Sequence, residues 1–271
     1  MEATDHFFHY QQAHLHYTKI GDGQQVVLLF HGFVQDKNIF DRLATTHFKS
    51  YTLYAFDLFF HGKSTWGYDE EPLEKDFWTS CIQAFLIENR IKKFSIVGFS
   101  LGGRFALAIT EAFPTQVEHL YLLAPDGIKT SFWYSLATYP ILFRKLFKSM
   151  IDHPNRFFSI AKVLHRINVM DKGLIRFAES QMNTEEKRNR VYYSWVVFRH
   201  LSFSLTRIIG LLNQNQLHVT LVLGEFDKVI SQKNLNQFID RVPHLNLALL
   251  KCGHNDLIRH FAESHSEAKS E

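Results

Sequence analysis

Seven short apolar runs punctuate the chain: HLHYTKI at 14–20, VVLLF at 26–30, YTLYAFDLF at 51–59, FSIVGF at 94–99, HLYLLA at 119–124, VTLVLG at 219–224 and LNLALL at 245–250. Most are continuous rather than alternating, which is the pattern of strands covered on both faces. Longer segments with apolar residues at helical spacing lie between several of them. In 72–93, for example, Phe77, Cys81, Ile82 and Phe85 share one side. Alternating strand and helix predicts an α/β chain, with a mostly parallel twisted sheet and helices on both of its faces. Gly21-Asp22-Gly23 fits a tight turn joining the first two runs, which gives that sheet an antiparallel edge.

The alternation stops between about Lys129 and Asn215, where the sequence is aromatic, basic and helix-patterned and offers no strand. The expected organisation is therefore a core made of 1–128 and 216–271, interrupted by a helical cap at 129–215. Residues 131–200 carry twelve Lys and Arg against five Asp and Glu. This excess fits either the solvated outer faces of helices or an attraction for anionic substrates or acidic membrane surfaces.

Composition narrows the class. With 46% apolar residues in 271 positions, the chain can bury a large core. The opening MEATDHFFHYQQ has neither the basic start nor the apolar stretch of a secretory signal, and no run approaches the roughly 20 residues that span a bilayer. Two cysteines, Cys81 and Cys252, are too few for a disulfide framework, so a reducing cytoplasm is the expected location. No metal-ligand spacing appears. A net charge of +3 gives no broad basic surface for nucleic acid.

The chemistry concentrates where the run ending at Phe99 gives way to a helix. Gly98-Phe99-Ser100-Leu101-Gly102 is a G-x-S-x-G element in strand-to-helix context, a sharp turn that lifts a serine above the sheet edge. A serine hydroxyl needs an imidazole to take its proton and a carboxylate to orient the imidazole. His254 follows the last strand and Asp227 the one before it, both at the ends where open parallel sheets build their sites. Asp126 also follows a strand and rivals Asp227, whereas Glu225 points the other way along an extended segment. Donors for a developing oxyanion are expected from the backbone N–H groups of Phe33, after the strand ending His31-Gly32, and Leu101. His31 itself reads as a structural hydrogen-bonding residue. His14 and His16, which share one face of an early strand, read as ordinary surface or core histidines.

Taken together, HGF at 31–33, DLFFHGKS at 57–64, GFSLGG at 98–103, GEFD at 224–227 and GH at 253–254 resemble the α/β-hydrolase superfamily, with a helical cap. Phe60 stands where that family's loop usually has glycine, which puts the local loop conformation in question. The resemblance implies no cofactor and a small-molecule substrate, with cleavage of an ester or related acyl bond by Ser100, His254 and Asp227 as the leading expectation. GFSLGGR also resembles the elbow of the menaquinone-pathway synthases that make 2-succinyl-6-hydroxy-2,4-cyclohexadiene-1-carboxylate. On that reading Arg104, one turn beyond Ser100, binds a carboxylate. The same scaffold and triad would also suit carbon–carbon bond hydrolysis, and a ligand-binding module without turnover could keep the fold. Phe99 and Trp133 are further candidate substrate contacts, and Phe132, Tyr134, Phe143 and Phe147 either line an acyl pocket or form the cap's own core.

Overall fold

The structure is a computed structural model describing residues 2–129, 132–166 and 172–267. Among these, nine strands join in one sheet: β1 (Ala3–Tyr10), β2 (Ala13–Ile20), β3 (Gln25–Phe30), β4 (Tyr51–Phe56), β5 (Thr65–Trp66), β6 (Phe94–Phe99), β7 (Val117–Leu123), β8 (His218–Gly224) and β9 (Leu245–Leu250). Their order is β1-β2-β4-β3-β6-β7-β8-β9, with β5 on β2. Every pairing from β4 through β3 to β9 is parallel, and those made by β2 are antiparallel. The helices are α1 (Asp41–Thr45), α2 (Lys75–Glu88), α3 (Gly102–Ala112), α4 (Phe132–Thr138), α5 (Ile141–Asp152), α6 (Pro154–Arg166), α7 (Lys172–Gln181), α8 (Glu185–Val197), α9 (Leu205–Gln214), α10 (Gln232–Ile239) and α11 (Leu257–Glu267).

The antiparallel edge is present, but Gly21-Asp22-Gly23 does not form its hairpin. β4 lies between β2 and β3, and the glycine link carries the chain past Ser50. A Cβ on Gly23 would stand 1.9 Å from the Ser50 carbonyl oxygen. The hairpin joins β1 to β2 across Gln11 and Gln12, with Gln11 at φ 52°. β1 escapes a search for apolar runs because only Phe8 of its eight residues is buried.

Aromatic rings fill the space between sheet and helices. Phe30 and Phe56 stack across β3 and β4, and Trp78 of α2 meets Phe105 of α3 edge-on at 5.0 Å. The Trp78 indole N–H donates to the Phe105 carbonyl. All four side chains are fully buried, and each such burial contributes about 1.5–3 kcal/mol.

The chain divides into two compact units. The larger comprises Met1–Tyr68, Glu74–Thr130 and Leu201–Glu271; the smaller comprises Asp69–Leu73 and Ser131–His200. The expected boundary at 215 is therefore corrected: α9 belongs to the larger unit. Its Ile208, Ile209 and Leu212 are buried, and Arg207 at its start pairs with Glu111 of α3 at 3.0 Å. Asp69–Leu73, expected in the core, belongs to the smaller unit. There the Tyr192 hydroxyl donates to Glu70, Lys148 pairs with the same carboxylate, and Leu73 N–H donates to the Val197 carbonyl. The smaller unit has its own apolar centre of Phe147, Ile151, Met182, Tyr192 and Val196. Phe147 thus belongs to that interior, and Tyr134 is tied to the same unit by its hydroxyl, which donates to the Trp195 carbonyl.

Candidate active site

The turn from β6 into α3 holds Ser100 at φ +49°. This left-handed backbone costs a non-glycine residue about 1–3 kcal/mol unless its surroundings enforce it. Here they do: Ser100 N–H donates to the Leu123 carbonyl, and its own carbonyl accepts from Gly103 N–H at 2.9 Å and Asp126 N–H at 2.8 Å. The glycines permit the close approach. A Cβ on Gly102 would lie 2.0 Å from the Phe30 carbonyl oxygen, and one on Gly98 would lie 2.8 Å from the Ala106 Cβ.

At the end of β8, Asp227 sits in a turn closed by its N–H to the Gly224 carbonyl. Its Oδ1 accepts from the N–H groups of Val229 and Ile230, at 2.7 and 2.8 Å. Its Oδ2 is 2.6 Å from Nδ1 of His254, which opens a short turn after β9. The other ring nitrogen, Nε2, is 2.9 Å from Oγ of Ser100. An ionised carboxylate only accepts, so Nδ1 carries the proton and Nε2 is left to accept from the serine hydroxyl. The Asp227 side chain is fully buried, while that of His254 is 15% exposed, so the hydroxyl end of the chain of contacts is the one substrate can reach. Three residues distant in sequence are therefore brought together at the strand ends. Phe99, 1% exposed, lies beneath them, with its ring 5.1 Å from that of His254 and close against Gly32. It is a packing support for the imidazole and is closed to solvent.

Asp126, the rival carboxylate, is committed elsewhere. It accepts from the Arg104 Nε at 2.6 Å and from Gly127 N–H. This also corrects the expectation for Arg104: its side chain is turned inward, 2% exposed, and its carboxylate partner belongs to the chain itself. Sharing a helix side with Ser100 placed it one turn along α3 but left its direction open, and the helix packs that side inward. The Glu225 side chain is exposed to solvent, while Asp227 holds the position beside the His254 ring. The Trp133 side chain lies outside the described residues.

Phe33 sits in the loop after β3, with its ring edge-on to His61 at 5.6 Å. The loop is pinned from several sides. The fully buried His31 donates through Nδ1 to the Gly32 carbonyl and accepts through Nε2 from Leu58 N–H; burial pushes its pKa down and keeps it neutral. Gly32 N–H donates to the Gln35 side chain. Asp57 accepts from Lys37 N–H, Lys63 N–H and His16 Nδ1. Burial opposes its charge, but these hydrogen bonds outweigh burial and hold the carboxyl below the usual range. Phe60 takes φ +65°, so the loop keeps the left-handed turn that glycine would make easily. The His16–Asp57 pair is a contact that motif reading misses; only their facing positions across β2 and the end of β4 could signal it. A polar cleft of about 250 Å³ opens beside this pair, lined by Asp5, Asp36, Lys37 and Lys63 among others. It is built from residues other than those around Ser100. Among the described residues no group of three His, Cys, Asp or Glu is placed to hold a metal.

Residues 25–148 match the family model described as alpha/beta hydrolase fold. The chain has the α/β-hydrolase fold. The chain is 35% identical over 112 residues to the lipase LipV of Mycobacterium tuberculosis, a match covering 41% of each chain. It spans about two-fifths of the length of such curated relatives. Among solved structures, a carboxylesterase of the thaumarchaeon Nitrososphaera gargenis superposes at TM-score 0.66 with 15% identity, covering 97% of this chain and 96% of that one. The thioesterase domain from the curacin biosynthetic pathway does so at 0.64 with 18% identity, covering 98% and 99%. At these identities the structural likeness speaks for the fold.

Proposed function

We propose that the protein is a serine hydrolase that cleaves a carboxylic ester or related acyl bond of a small molecule. The single observation carrying this reading is the unbroken contact from Asp227 through His254 to Ser100, with separations of 2.6 and 2.9 Å. Ser100 Oγ attacks the carbonyl carbon while His254 Nε2 takes its proton, and Asp227 stabilises the imidazolium and holds the ring. Charge on the former carbonyl oxygen is met by the N–H groups of Phe33 and Leu101; each such donor lowers the barrier by about 3–4 kcal/mol. The imidazolium returns its proton to the leaving alcohol, and water activated by the same nitrogen releases the acyl group. Esterase and lipase relatives support this reaction class. Arg104, occupied by Asp126, lends no support to a carboxylate-binding lyase.

A fluorophosphonate probe is expected to label Ser100, and short p-nitrophenyl esters to be hydrolysed. Ser100→Ala abolishes labelling and lowers kcat/KM by about 10⁴-fold or more. A folded protein that resists the probe is a binding module and not a hydrolase. Because an imidazolium cannot accept the serine proton, the attack requires the His254 ring in its neutral form.

A further inference from the structure

α5 is apolar on more sides than its own unit uses. Phe147 and Ile151, one turn apart, turn into the interior of the smaller unit. Left outside are Leu142 at 75% exposure, Ile141 at 64%, Leu146 at 45% and Phe143 at 41%, with Ile160 of α6 at 40%. Leu142 and Leu146 are four residues apart and form one outward row. Four large apolar side chains within six residues make a patch that a free protein surface seldom shows.

The charge around this patch is mainly positive. Between 141 and 160 stand Arg144, Lys145, Lys148 and Arg156, against Asp152, and Lys148 is paired with Glu70. Lys145 and Arg156 are exposed. A second copy of the chain would set this cationic surface against itself, which like-charge repulsion opposes. An acidic surface with an apolar interior satisfies both features at once. At twelve residues α5 is too short to cross a bilayer, and no single described helix is long and apolar enough to do so. Its geometry is that of a helix lying in the plane of the interface, with leucines among the acyl chains and cations among the headgroups.

We propose that α5, with the start of α6, is a docking surface for an anionic lipid bilayer. This inference stands apart from the hydrolytic reading, because binding is measured without turnover. The full chain is floated with vesicles of phosphatidylcholine alone and of phosphatidylcholine mixed with phosphatidylglycerol. It is expected to rise with the mixed vesicles, weakly with the neutral ones, and to be released by salt. Leu142→Glu with Leu146→Glu is expected to weaken partitioning by about tenfold or more at an unchanged melting temperature, since both side chains already face water. Lys145→Glu with Arg156→Glu, which leaves every apolar residue in place, is expected to abolish the preference for the anionic vesicles. Absence of flotation with either vesicle overturns the proposal, as does anionic binding that both double variants retain. Concentration-dependent self-association that the leucine variant abolishes also overturns it, by assigning the patch to a second copy.

Discussion

A carboxylate that orients an imidazole must be held still, and two backbone N–H groups perform that service for Asp227 at Oδ1 while Oδ2 faces His254. Asp227→Asn keeps the shape but offers an amide in place of the acceptor, so kcat is expected to fall by about 10⁴-fold with little change in melting temperature. Asp126→Asn is expected to do the reverse. It leaves turnover intact and costs about 3 kcal/mol of stability, because the inward Arg104 loses its counter-charge. Steady-state kinetics beside denaturant titration separates the two. In the sequence each of these aspartates follows a strand, so Asp126 stands as a rival to the leading Asp227. What distinguishes them is a side-chain direction, that of Arg104 on α3, and direction within a buried helix face is set by packing that no local pattern encodes. The serine and the histidine are legible because the G-x-S-x-G turn and the strand ends restrict where such groups can stand.

At the scale of elements, the start of α3 depends on contact between two backbones. The helix begins against the end of β3, so tightly that residue 102 has no room for a methyl group beside the Phe30 carbonyl. Gly102→Ala is expected to push α3 from β3, lowering stability by about 1–3 kcal/mol and displacing Ser100 and Leu101. Ester hydrolysis should therefore fall more than thermal stability alone explains, which activity assays well below the melting temperature will show. The inner strands can be read from continuous apolar runs because both of their faces are covered. β1 cannot, since it lies at the sheet edge and spends its side chains on solvent and on pairs such as Asp5 with Thr18 and Lys37. The Gly21-Asp22-Gly23 link resembles a hairpin in sequence because glycine favours turns and close crossings alike.

For the whole molecule, stability towards acid should fail in two steps. His119, on β7, is drawn from 6.5 down to about 4 by burial first and then by His218. A lowered histidine pKa favours the neutral form in the fold, so its contribution is complete above about 6.5 and is lost as pH falls towards about 4. Asp5, lowered to about 2 by its hydrogen bonds with Thr18 and Lys37, keeps its contribution above the ordinary carboxylate value of 3.8 and loses it only below that. Thermal melts are expected to decline first in the histidine window, to which the buried His31 also contributes, and His119→Asn should lessen that first decline while leaving the second. The two-part organisation has a different consequence. The smaller unit is assembled from Ser131–His200 and the five residues Asp69–Leu73, with Glu70 bound to Tyr192 and Lys148 and Leu73 to Val197. Transplanting 131–200 alone into a related scaffold would leave Glu70 and Leu73 behind in the donor, so recombination, in nature or at the bench, must move both pieces of chain in concert.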